Sequence, residues 1–343
     1  MKTSKNAGYI FGGLFFLLIL ACLANLSLGS VPIPLDDILG SLFGGEIGRE
    51  SWRYIIWNYR LPKALTALLV GGGLSLSGLL MQTLFRNPLA GPFVLGVSSG
   101  ASLGAAILIM GASLIGGLGA HYLTSDLSLI LASGLGSLLV LFTVLVVATR
   151  LKDAMALLIV GLMFGSITAA LVTVLSYFSP AEQLQQYIFW SYGSVGNLSW
   201  TQVGLLAIFF LAGVGISVGL LKALNALLLG ERYAASMGIS TTRTRNWIIL
   251  ATGLLAGGIT AFAGPIAFIG LAVPHLARQL LGTQDHRVLL PAVLLYGGIL
   301  MLLCDMIAQL PFSAYVLPIN AITSLVGAPV IIWLLIRQNR MVF

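Results

Sequence analysis

Apolar runs, separated by short polar or Gly/Pro-rich breaks, follow one another along the chain. A run of about 20 residues crosses a hydrocarbon layer roughly 30 Å thick, because a helix rises about 1.5 Å per residue. Helices satisfy their own backbone groups in lipid; open strands do not. The pattern predicts spans over residues 9–28, 61–84, 93–118, 127–148, 154–178, 203–221, 247–281, 288–310 and 316–336.

The run 247–281 is too long for one tilted helix. Gly257, Gly258, Gly264, Pro265 and Gly270 lie in its middle, which predicts a reversal and two helices there. Charge bias decides the count. With ten spans and the N-terminus inside, 13 of 17 Lys and Arg residues fall on the cytoplasmic side; only Arg49, Arg53, Arg60 and Lys63 fall outside. With nine spans the division is 9 against 8, and the positive-inside rule selects ten. The expected fold is therefore an all-α polytopic membrane protein with ten transmembrane helices and both termini cytoplasmic, forming a single transmembrane domain over 1–343. Two longer segments fall outside. Residues 30–59 read as a mixed-charge loop, and 180–200 as a connection with a short interfacial helix at Trp190-Ser191-Tyr192-Gly193.

Composition sharpens the class. The chain is 58% hydrophobic and 8% charged, whereas ordinary globular domains are about a quarter charged. The net charge of +7 is explained by cytoplasmic loops, and no basic-aromatic cluster suits nucleic acid. Cys22 and Cys304 lie in apolar runs and make no disulfide framework. The first run is long enough to span, so it is expected to be retained rather than cleaved. Gly71-Gly72-Gly73, Ser75, Ser77 and Gly78 within one run, and Gly100 and Gly104 within the next, suit close helix contact in lipid.

One polar, basic island interrupts this pattern between the sixth and seventh spans, about residues 225–246. Asn225 is expected to cap a helix over 226–237, with Gly238 as its C-terminal glycine and Ser240 capping the next helix. Such a helix–turn–helix presents side chains to a soluble partner.

Leu229-Gly230-Glu231, with Ala234, Met237 and Gly238, resembles the coupling motif of the iron-chelate and cobalamin uptake ABC permeases. Other motifs follow in the same order. Arg60-Leu61-Pro62-Lys63 is similar to the family's entry to the second span, with Lys63 where Arg is commoner. Asn87-Pro88-Leu89-Ala90 with Pro92, Leu95 and Gly96 is similar to its first cytoplasmic turn. Gly264-Pro265-Ile266, Phe268-Ile269-Gly270-Leu271, Pro274-His275 and Arg278 match a further signature, followed by Asp285-His286-Arg287, Leu289, Leu290 and Pro291. Leu317-Pro318-Ile319, Thr323, Gly327 and Pro329 close the pattern, with Asn320 where the family usually has Gly. Gln309 and Val316 replace residues that are charged in some relatives. The resemblance runs over about 9–337.

The resemblance implies a bacterial cytoplasmic-membrane importer subunit, working as a homodimer and carrying an iron-siderophore, haem or cobalamin. It implies that Leu229, Gly230, Glu231, Ala234, Met237 and Gly238 couple to a cytoplasmic ATP-binding subunit, which holds ATP and Mg. It implies that Arg60 and Lys63 meet a periplasmic or lipid-anchored substrate-binding protein. It places Leu89, Ala154 and Met155 along the pathway, beside the loop residues Lys152 and Asp153.

The residues by themselves say less. Asp305 lies within an apolar run, where a carboxylate costs roughly 3 kcal/mol. It is expected to face protein, as a hydrogen-bonding group or as the coupling carboxylate of a stand-alone ion-driven transporter, which is the alternative reading. His275 reads as a packing residue, and no metal-ligand spacing occurs. The chain has no Gly-x-x-x-x-Gly-Lys-Ser/Thr loop and no Gly-x-Ser-x-Gly elbow, so it carries no cofactor and no enzyme site of those kinds.

Overall fold

The structure is a computed structural model that describes residues 3–45, 47–111, 125–151, 154–310, 313 and 315–337. All regular elements among the described residues are helical. In chain order they are α1 (Thr3–Ser27), α2 (Leu35–Phe43), α3 (Glu50–Leu84), α4 (Val97–Gly111), α5 (Asp126–Arg150), α6 (Ala154–Phe178) and α7 (Ala181–Ser191). Then follow α8 (Trp200–Gly219), α9 (Leu221–Leu228), α10 (Glu231–Ser236), α11 (Thr241–Ala263), α12 (Ile269–Leu281), α13 (His286–Ala308) and α14 (Ile319–Arg337). Seven helices are long and apolar enough to cross a membrane, drawn from α1, α3, α5, α6, α8, α11 and α13. Apolar stretches of α4 and α14 are shorter, and α12 has 13 residues.

Several boundaries differ from the pattern-based ones. Some of the expected outer loop is helical: α2 lies within it, and α3 begins at Glu50. The run 247–281 does break, between Ala263 and Ile269, with positive φ at Gly264 (72°) and Phe268 (67°). The short helix expected at Trp190 is α7, which starts nine residues earlier at Ala181 and stops before Gly193 (φ 71°). The expected third span beyond Gly111 lies outside the described residues.

A π-helical turn at Ile56–Arg60 lets α3 continue through Pro62. Proline lacks an N–H and its ring crowds the preceding turn, and a wider turn relieves both problems. The carbonyl of Trp57, five residues before Pro62, instead accepts the indole N–H of Trp200 at 2.9 Å.

The chain divides into two compact units. The first comprises Met1–Leu76, Ser194–Ala207 and Ile266–Phe343. Within it α1 packs on α13, and α12 lies beside α13 and α14. Gly71 of α3 meets Gly297 of α13 so closely that a Cβ on Gly71 would lie 2.2 Å from the Gly297 carbonyl oxygen. Asn320 Oδ1 accepts the Ala267 N–H at 3.0 Å, so the amide that replaces the usual glycine secures the chain just before α12.

The second unit comprises Ser77–Gly193 and Ile208–Pro265. Its centre is α4 against α5 and α6. A Cβ on Gly100 would fall 2.4 Å from the Gly136 oxygen, and one on Gly104 would fall 2.1 Å from the Ala132 oxygen. Hydroxyls add to this: Ser137 of α5 donates to the Val97 carbonyl of α4 at 3.1 Å, and Ser133 of α5 donates to the Ala261 carbonyl of α11 at 3.3 Å. Apolar side chains gain nothing by leaving lipid for one another, so close backbone approach and hydrogen bonds hold such helices together.

Candidate functional site

The island folds as two short helices, not one. The helix expected over 226–237 is broken at Gly230, whose φ of 110° and ψ of 153° lie in a region that only glycine adopts readily. Asn225 sits inside α9 rather than at a cap. The Gly230 N–H closes α9 on the Leu227 carbonyl at 3.0 Å, and its own carbonyl starts α10 by accepting the Ala234 N–H at 2.9 Å.

The end of α10 is a Schellman turn. Ile239 N–H bonds the Ala234 carbonyl at 3.1 Å and Gly238 N–H bonds the Ala235 carbonyl at 3.0 Å, with Gly238 at φ 81°. The backbone turns here as the glycine predicts. Ser240 occupies the position before α11, but its side chain makes no capping hydrogen bond.

This geometry separates the motif residues by direction. Ala234 is fully buried and anchors the segment. Leu229, Glu231 and Met237 are exposed, Leu229 and Met237 at 63% and 59%. The motif therefore pairs one inward methyl group with three outward side chains of apolar, acidic and thioether character.

Beside it lies the turn after α3. Arg86 has φ 47°, and its guanidinium lies beside Gly230. Asn87 Oδ1 accepts the Leu89 N–H at 2.9 Å, closing a side-chain turn over Pro88. Ala90, Pro92 and Leu95 are buried, while Leu89 is exposed at 43%. Phe85, Arg86, Gly230, Glu231 and Tyr233 line an open groove of about 710 Å³. Two sequence motifs about 140 positions apart thus form one surface. Leu89 flanks that turn. Ala154 begins α6, but the side chains of Ala154 and Met155 lie outside what is described, as do Lys152 and Asp153.

The first unit holds a different cluster. Asp305 on α13 is buried and forms an ion pair with Lys63 at 3.1 Å. Its other oxygen accepts the Asn25 side-chain amide at 2.9 Å and the Gln309 amide at 2.6 Å. The carboxylate is thus satisfied by α1, α3 and the end of its own helix. Arg60 sits one turn before Lys63. It donates to the carbonyls of Leu26, Ser27 and Val31, with Ser27 at 2.8 Å. The Leu26 and Ser27 carbonyls belong to the last turn of α1, which leaves them without helical partners, and that of Val31 lies in the loop beyond. Both cations expected to face a binding protein are therefore engaged within the unit. Asn25 and Gln309 escape sequence reasoning as partners, although a lone amide in the first apolar run is a legible signal.

His275 is buried in α12. Asp285 caps α13 by accepting the Arg287 N–H at 2.9 Å. No cluster of three or more His, Cys, Asp or Glu suited to a metal occurs among the described residues.

Comparison with known proteins gives one consistent result. The FecCD transport family model matches residues 17–337. The vitamin B12 import system permease protein BtuC of Klebsiella pneumoniae is 39% identical over 340 residues, covering 99% of this chain and 96% of that protein. The same protein of Salmonella typhi is 39% identical over 329 residues, covering 95% and 94%. Among solved structures, a metal-chelate type ABC transporter in an inward-facing conformation superposes with a TM-score of 0.84 at 31% identity, over 96% of this chain and 99% of that one. PsaBC from Streptococcus pneumoniae shares only the fold, with a TM-score of 0.53 at 14% identity.

Proposed function

The chain belongs to the FecCD transport family, and from that premise we propose that it is the membrane-spanning permease of a bacterial binding-protein-dependent ABC importer. It lies in the cytoplasmic membrane and provides the path for a large metal chelate. Cobalamin is the first candidate, because the relatives 39% identical over nearly the whole chain import vitamin B12. Iron-siderophores and haem are the other members of the class.

The observation that carries the reading is the exposed segment from Leu229 to Gly238. A glycine break, a short helix and a Schellman turn hold Leu229, Glu231 and Met237 outward while Ala234 stays buried. A rigid, exposed knob of this kind suits a cleft in a cytoplasmic ATP-binding subunit, and the groove beside Arg86 widens the surface. The shorter apolar helices α4 and α14, with the 13-residue α12, would complete ten spans with both termini cytoplasmic. On α6, Met163, Ile167, Leu171 and Val174 are exposed at helical spacing. This stripe suits a second copy, whose pairing would enclose the path past Leu89, Ala154 and Met155.

Ion-driven transport through Asp305 is not favoured. Its carboxylate is held by Lys63, Asn25 and Gln309, which fits a structural role. Arg60 and Lys63 are poorly suited to docking a binding protein, because their charges already serve internal contacts.

The test is uptake by the complete transporter in vesicles. Replacing Glu231→Arg together with Met237→Ala should leave membrane insertion intact and cut ATP-driven uptake at least tenfold. Uptake at the unaltered rate would remove the coupling assignment. Gradient-driven uptake by this chain alone would remove the importer reading.

A further inference from the structure

A second groove, distinct from the coupling surface, opens between the end of α5 and the start of α11 and encloses about 630 Å³. Its walls change character along the helix axes. Ser240, Thr242 and Arg243 line the end near the start of α11. Leu145, Val146 and Leu250 line the deeper zone, a turn or two farther into both spans. Leu250 is eight residues beyond Thr242, or about 12 Å at helical rise. Trp247 stands between the two zones and is exposed at 45%. Indole rings favour that level of a bilayer, where one face meets chains and the N–H meets headgroups.

The charges are one-sided. Arg243 is exposed and makes no ion pair among the described residues, and none of the described residues lining the groove is a carboxylate. Asn246 also lines it. Its side-chain oxygen is shut off from water and accepts no hydrogen bond among the described residues. Arg245 holds the groove's two walls together: it is buried and donates to the Ala148 carbonyl of α5 at 2.6 Å.

We propose that this groove binds an anionic phospholipid of the bilayer, with phosphatidylglycerol as the probe. The phosphate is taken by Arg243 with the Ser240 and Thr242 hydroxyls, at a helix start whose dipole favours an anion. One acyl chain lies along Leu145, Val146 and Leu250. A soluble phosphate would use only the polar zone, and a soluble protein would leave the apolar wall in lipid. The inference rests on the chain lying in a membrane and not on what it transports.

The experiment is native mass spectrometry of the complete transporter, released from vesicles with equal amounts of phosphatidylglycerol and phosphatidylcholine. The unaltered protein should retain phosphatidylglycerol in preference. Arg243→Gln should lower its retention about tenfold, and Val146→Trp, which fills the apolar zone and leaves every charge in place, should lower it comparably. Free glycerophosphoglycerol should not displace the lipid; displacement would reassign the site to a soluble phosphate ester. Equal retention of both lipids, or undiminished retention in both variants at unaltered melting temperature, would overturn the proposal. Retention of the lipid only when the ATP-binding subunit is left out would also overturn it, since the groove would then be a protein interface.

Discussion

Around α13 in the first unit, Asp305 reaches a cation on α3 and an amide on α1. Around α4 in the second unit, the closest contacts are backbone to backbone, Gly100 on Gly136 and Gly104 on Ala132. Both units use glycine to bring helices close, as Gly71 and Gly297 do in the first. Only the first adds a buried charge pair among the described residues. The difference is one of specificity. Glycine contacts set how near two helices come, whereas a charge with three partners also sets their register. In a low-dielectric interior that register is enforced by the cost of an uncompensated ion.

The sharpest way to break this comparison is Asp305→Ala. It strands the Lys63 ammonium in a nearly closed setting, and losing one partner of a buried pair costs roughly 3–5 kcal/mol. Thermal unfolding in detergent should show a larger drop than for either glycine substitution below. Combining it with Lys63→Met should restore most of the loss. If the double variant is no better than the single one, the pair does not act as a unit.

A smaller loss is expected from Gly100→Ala. The new methyl group would lie 2.4 Å from a carbonyl oxygen, and overpacking of this kind costs typically about 1–3 kcal/mol. No single second substitution of a polar group should repair it, because distance and not charge is at fault. Unchanged melting would mean that α4 and α5 separate freely.

The smallest effect belongs to Gly238→Ala. The site has open space around it, so only the positive φ is strained. An alanine in that conformation costs about 1–2 kcal/mol. The melting temperature should move little, while ATP-driven uptake should fall more, since the turn aims Met237. Loss of stability without loss of uptake would show that the turn's shape does not matter for coupling.

Much of the fold is legible in the chain. Hydrophobic run lengths identify the long spans, because the bilayer imposes a length that local sequence must meet. Gly238 announces its turn, since left-handed backbone has few tenants. Gly230 gives no such signal, because a glycine inside a helical pattern is tolerated and only its observed φ reveals a break. The region 30–59 reads as loop from its mixed charge, yet it holds α2, which buries Ile38 and Ser41, and the first turns of α3. Asp305 stands out as a charge among apolar residues and Asn25 as a lone amide, but nothing in the chain pairs them with each other or with Lys63 and Gln309.

Sequence alone determined that the chain is helical, lies in a membrane and carries the motifs of a chelate-import permease. These follow from local rules: span length, backbone satisfaction in lipid, and residue types at short spacing. Tertiary structure alone decided which polar groups meet. It joined Asp305 to Lys63, placed Arg86 beside Gly230, and opened the groove at Asn246. Such pairings join residues far apart in the chain, and no local rule carries information across that distance until helices pack.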